Sequence, residues 1–221
     1  DWCYAAVTFQ ALKGKRVVVF GHDSMGMETA LPHVSATRNQ FGIEITRLDM
    51  KLLSDMLTKK SYDERELLKL KKWIKSDCLK IEIPKETDEH NLDKSLALYL
   101  IVRNMMKELN AVGGGFMSQL EWGSDSRGIP LPVADIMESL FNSTFDHNGP
   151  KEVIPYATEA DVQALLTQLF MTWLSGGNPP LFMDFRKVWE PNEIKEFAKQ
   201  NKVKLSGKSI WEKKGFVDGV N

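Results

Sequence analysis

The chain has 221 residues, 43% of them apolar and 27% charged, enough to bury a sizeable core in one large or two small units. With 29 Lys and Arg against 30 Asp and Glu the net charge is -1, which excludes the cationic footprint of a protein that grips nucleic acid phosphates. No apolar run reaches the roughly 18 to 20 residues that span a bilayer, and no basic segment followed by an apolar one opens the chain. A cytoplasmic protein with no nucleic acid or membrane partner is expected.

In chain order, Lys13-Gly14-Lys15-Arg16 leads into Val17 to Phe20, an apolar β-branched run ending in the turn Gly21 to Gly26, as a buried parallel strand does. A helix is expected from about Glu28. Ile43 to Leu48 alternates as a strand with Asp49 directly after it, completing a β-α-β unit. Between Lys51 and Lys75 the apolar positions recur at helical spacing in two helices, with Ser61-Tyr62-Asp63 as the N-cap region between them. Residues 76 to 91 read as a charged loop holding Pro84, and Leu92 to Leu109 reads as an amphipathic helix with Met105 and Met106 in the core.

Ala111 to Met117 is expected as a strand interrupted by three glycines. The polar loop Gly123 to Pro132 holds Asp125 and Arg127, and a helix follows over Val133 to Asn142. Val153 to Ala157 then reads as a strand, Ala160 to Leu174 as a helix and Leu181 to Met183 as a further strand, joined by the Gly- and Pro-rich stretch 175 to 180. This alternation predicts an α/β fold, a Rossmann-like doubly wound parallel sheet with helices on both faces. The chain divides in this reading into an α/β domain over 1–175 and the start of a further domain over 176–221. It opens on Asp1-Trp2-Cys3 and stops at Asn221, as a piece of a longer protein would. Cys3 and Cys78 lie far apart without metal-ligand spacing and are expected as plain thiols.

Glu159 and Asp184 are the most informative pair, since each follows an apolar strand with one helix between them. Both are then expected at carboxyl ends of strands, the edge where open α/β sheets bind ligands. Two acidic side chains there suit a hard divalent cation such as Mn2+ or Mg2+; alternatively Glu159 caps the next helix and Asp184 is an ordinary loop residue. Gly21 to Gly26 can cradle an anion, but its glycine spacing is not that of a dinucleotide fingerprint, so a non-catalytic sugar- or nucleotide-binding module is the alternative reading. His22, His33, His90 and His147 pair with nothing at metal-ligand spacing; His22 alone sits in a β-to-α loop. Trp122 opens the variable loop and is a candidate ligand contact, while Trp173 and Trp189 are core or platform residues. Arg127 faces either an anionic substituent, sulfonate or phosphate, or solvent, and Arg186 either orients a carboxylate or forms a simple ion pair.

Ala157-Thr158-Glu159 and Phe182-Met183-Asp184-Phe185-Arg186-Lys187-Val188-Trp189 resemble the metal-binding stretches of the L-fucose isomerase family. Asn142-Ser143-Thr144-Phe145-Asp146-His147-Asn148-Gly149 is similar to that family's segment before its metal glutamate, and Leu12-Lys13-Gly14-Lys15 with Ser24-Met25-Gly26 resembles the opening of its second domain. The resemblance implies an aldose–ketose isomerase acting through an enediol, with Mn2+ (or Mg2+ or Co2+) held by Glu159 and Asp184, which are also the catalytic pair. It implies that Met25 lines the sugar pocket, and that Met117 replaces a pocket glutamine with Gln119 close by. The resemblance implies that 1–175 matches the family's second domain and 176–221 the truncated beginning of its C-terminal domain; the family's N-terminal domain and the part of the C-terminal domain that supplies a histidine ligand are expected outside these 221 residues. The family also implies a homo-oligomer, a hexamer with pockets shared between subunits.

Overall fold

A computed structural model describes residues 2–22, 26–78, 81–83, 85, 87–117, 133–182 and 184–220, with the backbone alone described at 134, 184–186, 211 and 217–220. Met25, Gln119, Trp122, Arg127 and the loop 123–132 lie outside the described residues. The chain divides into two compact units, Asp1–Pro180 and Leu181–Asn221.

The first unit is an α/β structure built on a parallel sheet of β1 (Arg16–Phe20), β2 (Glu44–Leu48), β3 (Ala111–Phe116) and β6 (Tyr156–Ala157) in the order β2-β1-β3-β6. After Arg16 the central strand β1 is an unbroken apolar run, Val17 to Phe20, because both its faces are covered. Val18 and Phe20 face a cluster built from α3 (Met50–Thr58), α4 (Glu64–Asp77), α5 (Glu89–Glu108) and α6 (Val133–Asn142). Val17 faces the opposite cluster, which holds Leu12 of α1 (Trp2–Leu12), Phe41 of α2 (Val34–Phe41), and Leu165 and Leu169 of α7 (Val162–Leu174). The chain winds outward from β1 in both directions, so the gap between β1 and β3 is the switch point where open α/β sheets bind ligands at the strands' carboxyl ends.

Local chemistry sets the helix starts. Asp49, Asp63, Asp88 and Asp161 each accept a backbone N–H in the first turn of the helix that follows, offsetting the orphan donors there. The helix expected from Glu28 is instead a single 3-10 turn, Glu28–Ala30, with α2 starting at Val34. Pro32 is the cause, since it disfavours a helical residue before it, and Leu31 is extended. A two-residue hairpin, β4 (Phe145–Asp146) with β5 (Gly149–Pro150), follows α6. Cys3 and Cys78 are exposed and unbridged. Among the described residues, no helix is long and apolar enough to cross a membrane.

The second unit corrects the expected strand at Leu181 to Met183. Leu181 and Phe182 belong to no strand, and pairing begins at Asp184. Strand β7 (Asp184–Trp189) runs antiparallel to β8 (Phe216–Val220), with α8 (Pro191–Gln200) and α9 (Ile210–Lys214) between them. Trp189 stacks on Phe216 at 6.1 Å and meets the Phe197 ring edge-on at 5.8 Å. The apolar triplet looks like a parallel strand locally, but the partner of this segment lies some thirty residues on and imposes antiparallel pairing. Asp184 is therefore the first residue of an antiparallel strand, not a residue at the carboxyl end of a parallel one.

Candidate functional site

Glu159 lies just past the carboxyl end of β6, in a 3-10 turn over Thr158–Ala160 that passes into α7. Its backbone is left-handed, with φ 56° and ψ 19°, and Ala160 follows with φ 56°. Two adjacent non-glycine residues in this region cost about 1 to 3 kcal/mol each and persist only where the surroundings enforce them.

The enforcing contacts come from both sides. On one side β3 is Ala-Val-Gly-Gly-Gly-Phe, and the missing side chains let the edge strand nest against it. A Cβ on Gly115 would stand 3.1 Å from the Cα of Ala160 and 3.3 Å from the carbonyl oxygen of Ala157, and one on Gly113 would stand 3.1 Å from the carbonyl oxygen of Pro155. On the other side α6 holds the strand's outer edge. The Asn142 amide donates to the Tyr156 carbonyl at 2.9 Å and accepts the Tyr156 N–H at 3.1 Å, giving the edge strand the partner it lacks. One turn earlier on the same helix, buried Glu138 accepts a hydrogen bond from the Thr158 hydroxyl. After the turn, Asp161 accepts the Ala164 N–H at 2.9 Å and fixes the start of α7.

At the switch point, Gly21 has φ 103°, and a Cβ there would fall 2.3 Å from the Cβ of Met117. Met117 donates its N–H to the Phe20 carbonyl at 2.8 Å, and its sulfur accepts the His22 N–H at 3.4 Å. Met117 also packs on a small cluster of Val19, Ala160 and Val162. The sheet's carboxyl edge thus gathers Glu159, Met117 and His22. Asp184 belongs to the second unit, where only its backbone is described.

The other histidines have structural surroundings or lie open to solvent. The His33 ring caps α2, accepting the Ala36 N–H at 3.1 Å, and His90 is exposed at the start of α5. His147 is buried, its Nε2 3.1 Å from Glu66 Oε1. Trp173 is half-buried with the Lys15 ammonium 5.9 Å from its ring centre. Asp49 is occupied as the cap of α3, accepting the Lys51 N–H at 2.7 Å.

The sequence reading gives no role to three residues: Glu138, which it does not single out, and Asn142 and Thr158, which it quotes only within the family-like stretches. One signal was available. In α6 the apolar positions Val133, Met137, Leu140 and Phe141 define the buried face, and Glu138 adjoins it, where an ordinary surface carboxylate does not belong.

Compared with known proteins, residues 15–176 match the family model described as L-fucose isomerase, second N-terminal domain. L-fucose isomerase of Clostridium perfringens is 26% identical over an alignment covering 98% of this chain and 39% of that protein. L-fucose isomerase of Salmonella choleraesuis is 27% identical, covering 89% of this chain and 36% of that protein. The chain thus spans less than two fifths of the length of these curated relatives. The family model covers most of the chain and takes in Glu159, the β3 glycines and the α6 clamp, so this chain belongs to the L-fucose isomerase family.

Proposed function

We propose that the protein containing this chain is a metal-dependent aldose–ketose isomerase, interconverting a free sugar and its ketose through an enediol. The observation that carries the proposal is Glu159, a carboxylate held on a left-handed backbone at the carboxyl edge of a parallel sheet, within a segment that matches the family.

The donor chemistry fits a hard divalent cation such as Mn2+, Mg2+ or Co2+, which takes carboxylate oxygens. Among the described residues no three His, Cys, Asp or Glu gather as a metal site. In this reading Glu159 shares the ion with Asp184 and with a third ligand, expected to be a histidine, from outside this chain. When bound, the cation would polarise the sugar's carbonyl and adjoining hydroxyl oxygens and stabilise negative charge there.

The remaining work falls to the chain's own groups. One carboxylate takes the proton from the carbon beside the carbonyl and returns it to the former carbonyl carbon, while the other assists on the opposite face by moving the hydroxyl proton to the former carbonyl oxygen. Met117, packed over Gly21 at the switch point, offers an apolar wall to the pocket, to which Met25, Gln119, Trp122 and Arg127 would add contacts. The proposal includes a cytoplasmic setting and a homo-oligomer.

In the full-length protein, Glu159→Gln and Asp184→Asn should each lower kcat/KM for Mn2+-dependent aldose-to-ketose conversion by about 10²-fold or more. Conversion that persists near the wild-type rate in either variant removes that residue from the site.

A further inference from the structure

We propose that Glu138, Asn142 and Thr158 are positioning residues that hold Glu159 in its metal-binding orientation. The inference rests on the reading of Glu159 as a metal ligand and adds the device that aims it.

Glu138 and Asn142 are four apart on α6, so both side chains project from one face of the helix. Tyr156 lies in the edge strand and Thr158 opens the turn directly after it. Helix α6 thus grips this segment at two successive points, Asn142 on the Tyr156 backbone and Glu138 on the Thr158 hydroxyl. Directly beyond the second grip the backbone turns left-handed at Glu159. Gly115 closes the opposite side, with Ala160 so near that a Cβ would touch it.

The grip at Asn142 replaces ladder hydrogen bonds that any edge strand would welcome. The grip at Glu138 is different, because it places a buried carboxylate where it accepts a hydrogen bond from a side-chain hydroxyl and so fixes that side chain's rotamer. A Thr158 free to change rotamer would loosen the turn, and Glu159 would lose part of the preorganisation that outer-shell partners give metal ligands.

The test uses the full-length protein, with Mn2+ itself as probe. Thr158→Val keeps the side-chain shape but removes the hydroxyl, Thr158→Ser keeps the hydroxyl, and Asn142→Ala removes the backbone clamp. Calorimetric titration should show Mn2+ affinity about tenfold or more weaker in T158V and N142A, with kcat/KM falling in parallel and T158S within about threefold of wild type. Asn201→Ala, which removes a helix-end hydrogen bond to the Phe197 carbonyl in the second unit, is the control for a merely structural loss and should leave Mn2+ affinity unchanged.

The proposal is overturned if T158V and N142A lower the thermal midpoint but bind Mn2+ as wild type does. If N142A does not fold, T158V decides alone. Glu159→Gln separates the two layers of argument. An E159Q protein that binds Mn2+ normally defeats the ligand reading and this one together, whereas loss of binding in E159Q with none in T158V defeats the positioning role only.

Discussion

Glu66 on α4 accepts both forks of the Arg103 guanidinium at 2.7 Å, with the His147 ring at 3.1 Å and the Asn148 amide at 3.3 Å. The Arg103 hydrogen bonds, with smaller help from His147 and Asn148 and against the pull of burial, lower its pKa from 4.5 to about 2. A carboxylate whose pKa is lower folded than unfolded stabilises the fold above its unfolded pKa, and that contribution fades as pH falls from about 4.5 to about 2. Glu66→Gln should therefore lower stability at neutral pH by about 1 to 2 kcal/mol, allowing for screening at this partly exposed site. It should also flatten the acid limb of a plot of thermal midpoint against pH. Gly21→Ala is expected to be worse than its size suggests, since the new Cβ would overlap Met117 and the residue would keep a positive φ. A loss of about 2 to 4 kcal/mol is expected, read from the thermal midpoint.

At the scale of elements, β3 and β6 depend on each other through the glycines. Gly115→Ala would press on the backbone of Ala160, which cannot swing away as a side-chain tip can. It should destabilise by about 1 to 3 kcal/mol and weaken Mn2+ binding as well, so titration of this variant checks whether the turn carrying Glu159 has moved. Most elements of the first unit could be read from the sequence because their signals are local: apolar runs for β1 and β3, helical spacing for α3 to α7, and Asp63 at the start of α4. Those that escaped depend on partners distant in the chain. Helix α1 exposes Trp2, Tyr4 and Val7 and shows no clean apolar stripe, and β7 takes its direction from β8. Glu159 was legible as a residue at a strand end. Its left-handed backbone was not, because glycine or asparagine usually announces that conformation and here packing by Gly115 and α6 enforces it instead. His147 reads as part of a turn until Glu66, eighty-one residues earlier, arrives to hold it.

At the scale of the whole molecule, residues 174–179 are exposed and contain Gly176 and Gly177, both with positive φ, immediately before the boundary at Pro180. Limited proteolysis of the full-length protein should cut first in this stretch, and mass spectrometry should find fragments ending between residues 174 and 181; earlier cleavage inside α5 or α7 would contradict the division into units.

The paired left-handed residues carry a consequence for inheritance. Glycine at 159 adopts φ 56° without penalty, so Glu159→Gly should be more stable than Glu159→Ala by about 1 kcal/mol in thermal denaturation. Folding pressure alone would drift this position towards glycine or asparagine. A gene copy that keeps glutamate here is spending stability to keep a carboxylate, so the identity of this one residue reports whether a descendant is still selected for chemistry or only for being folded.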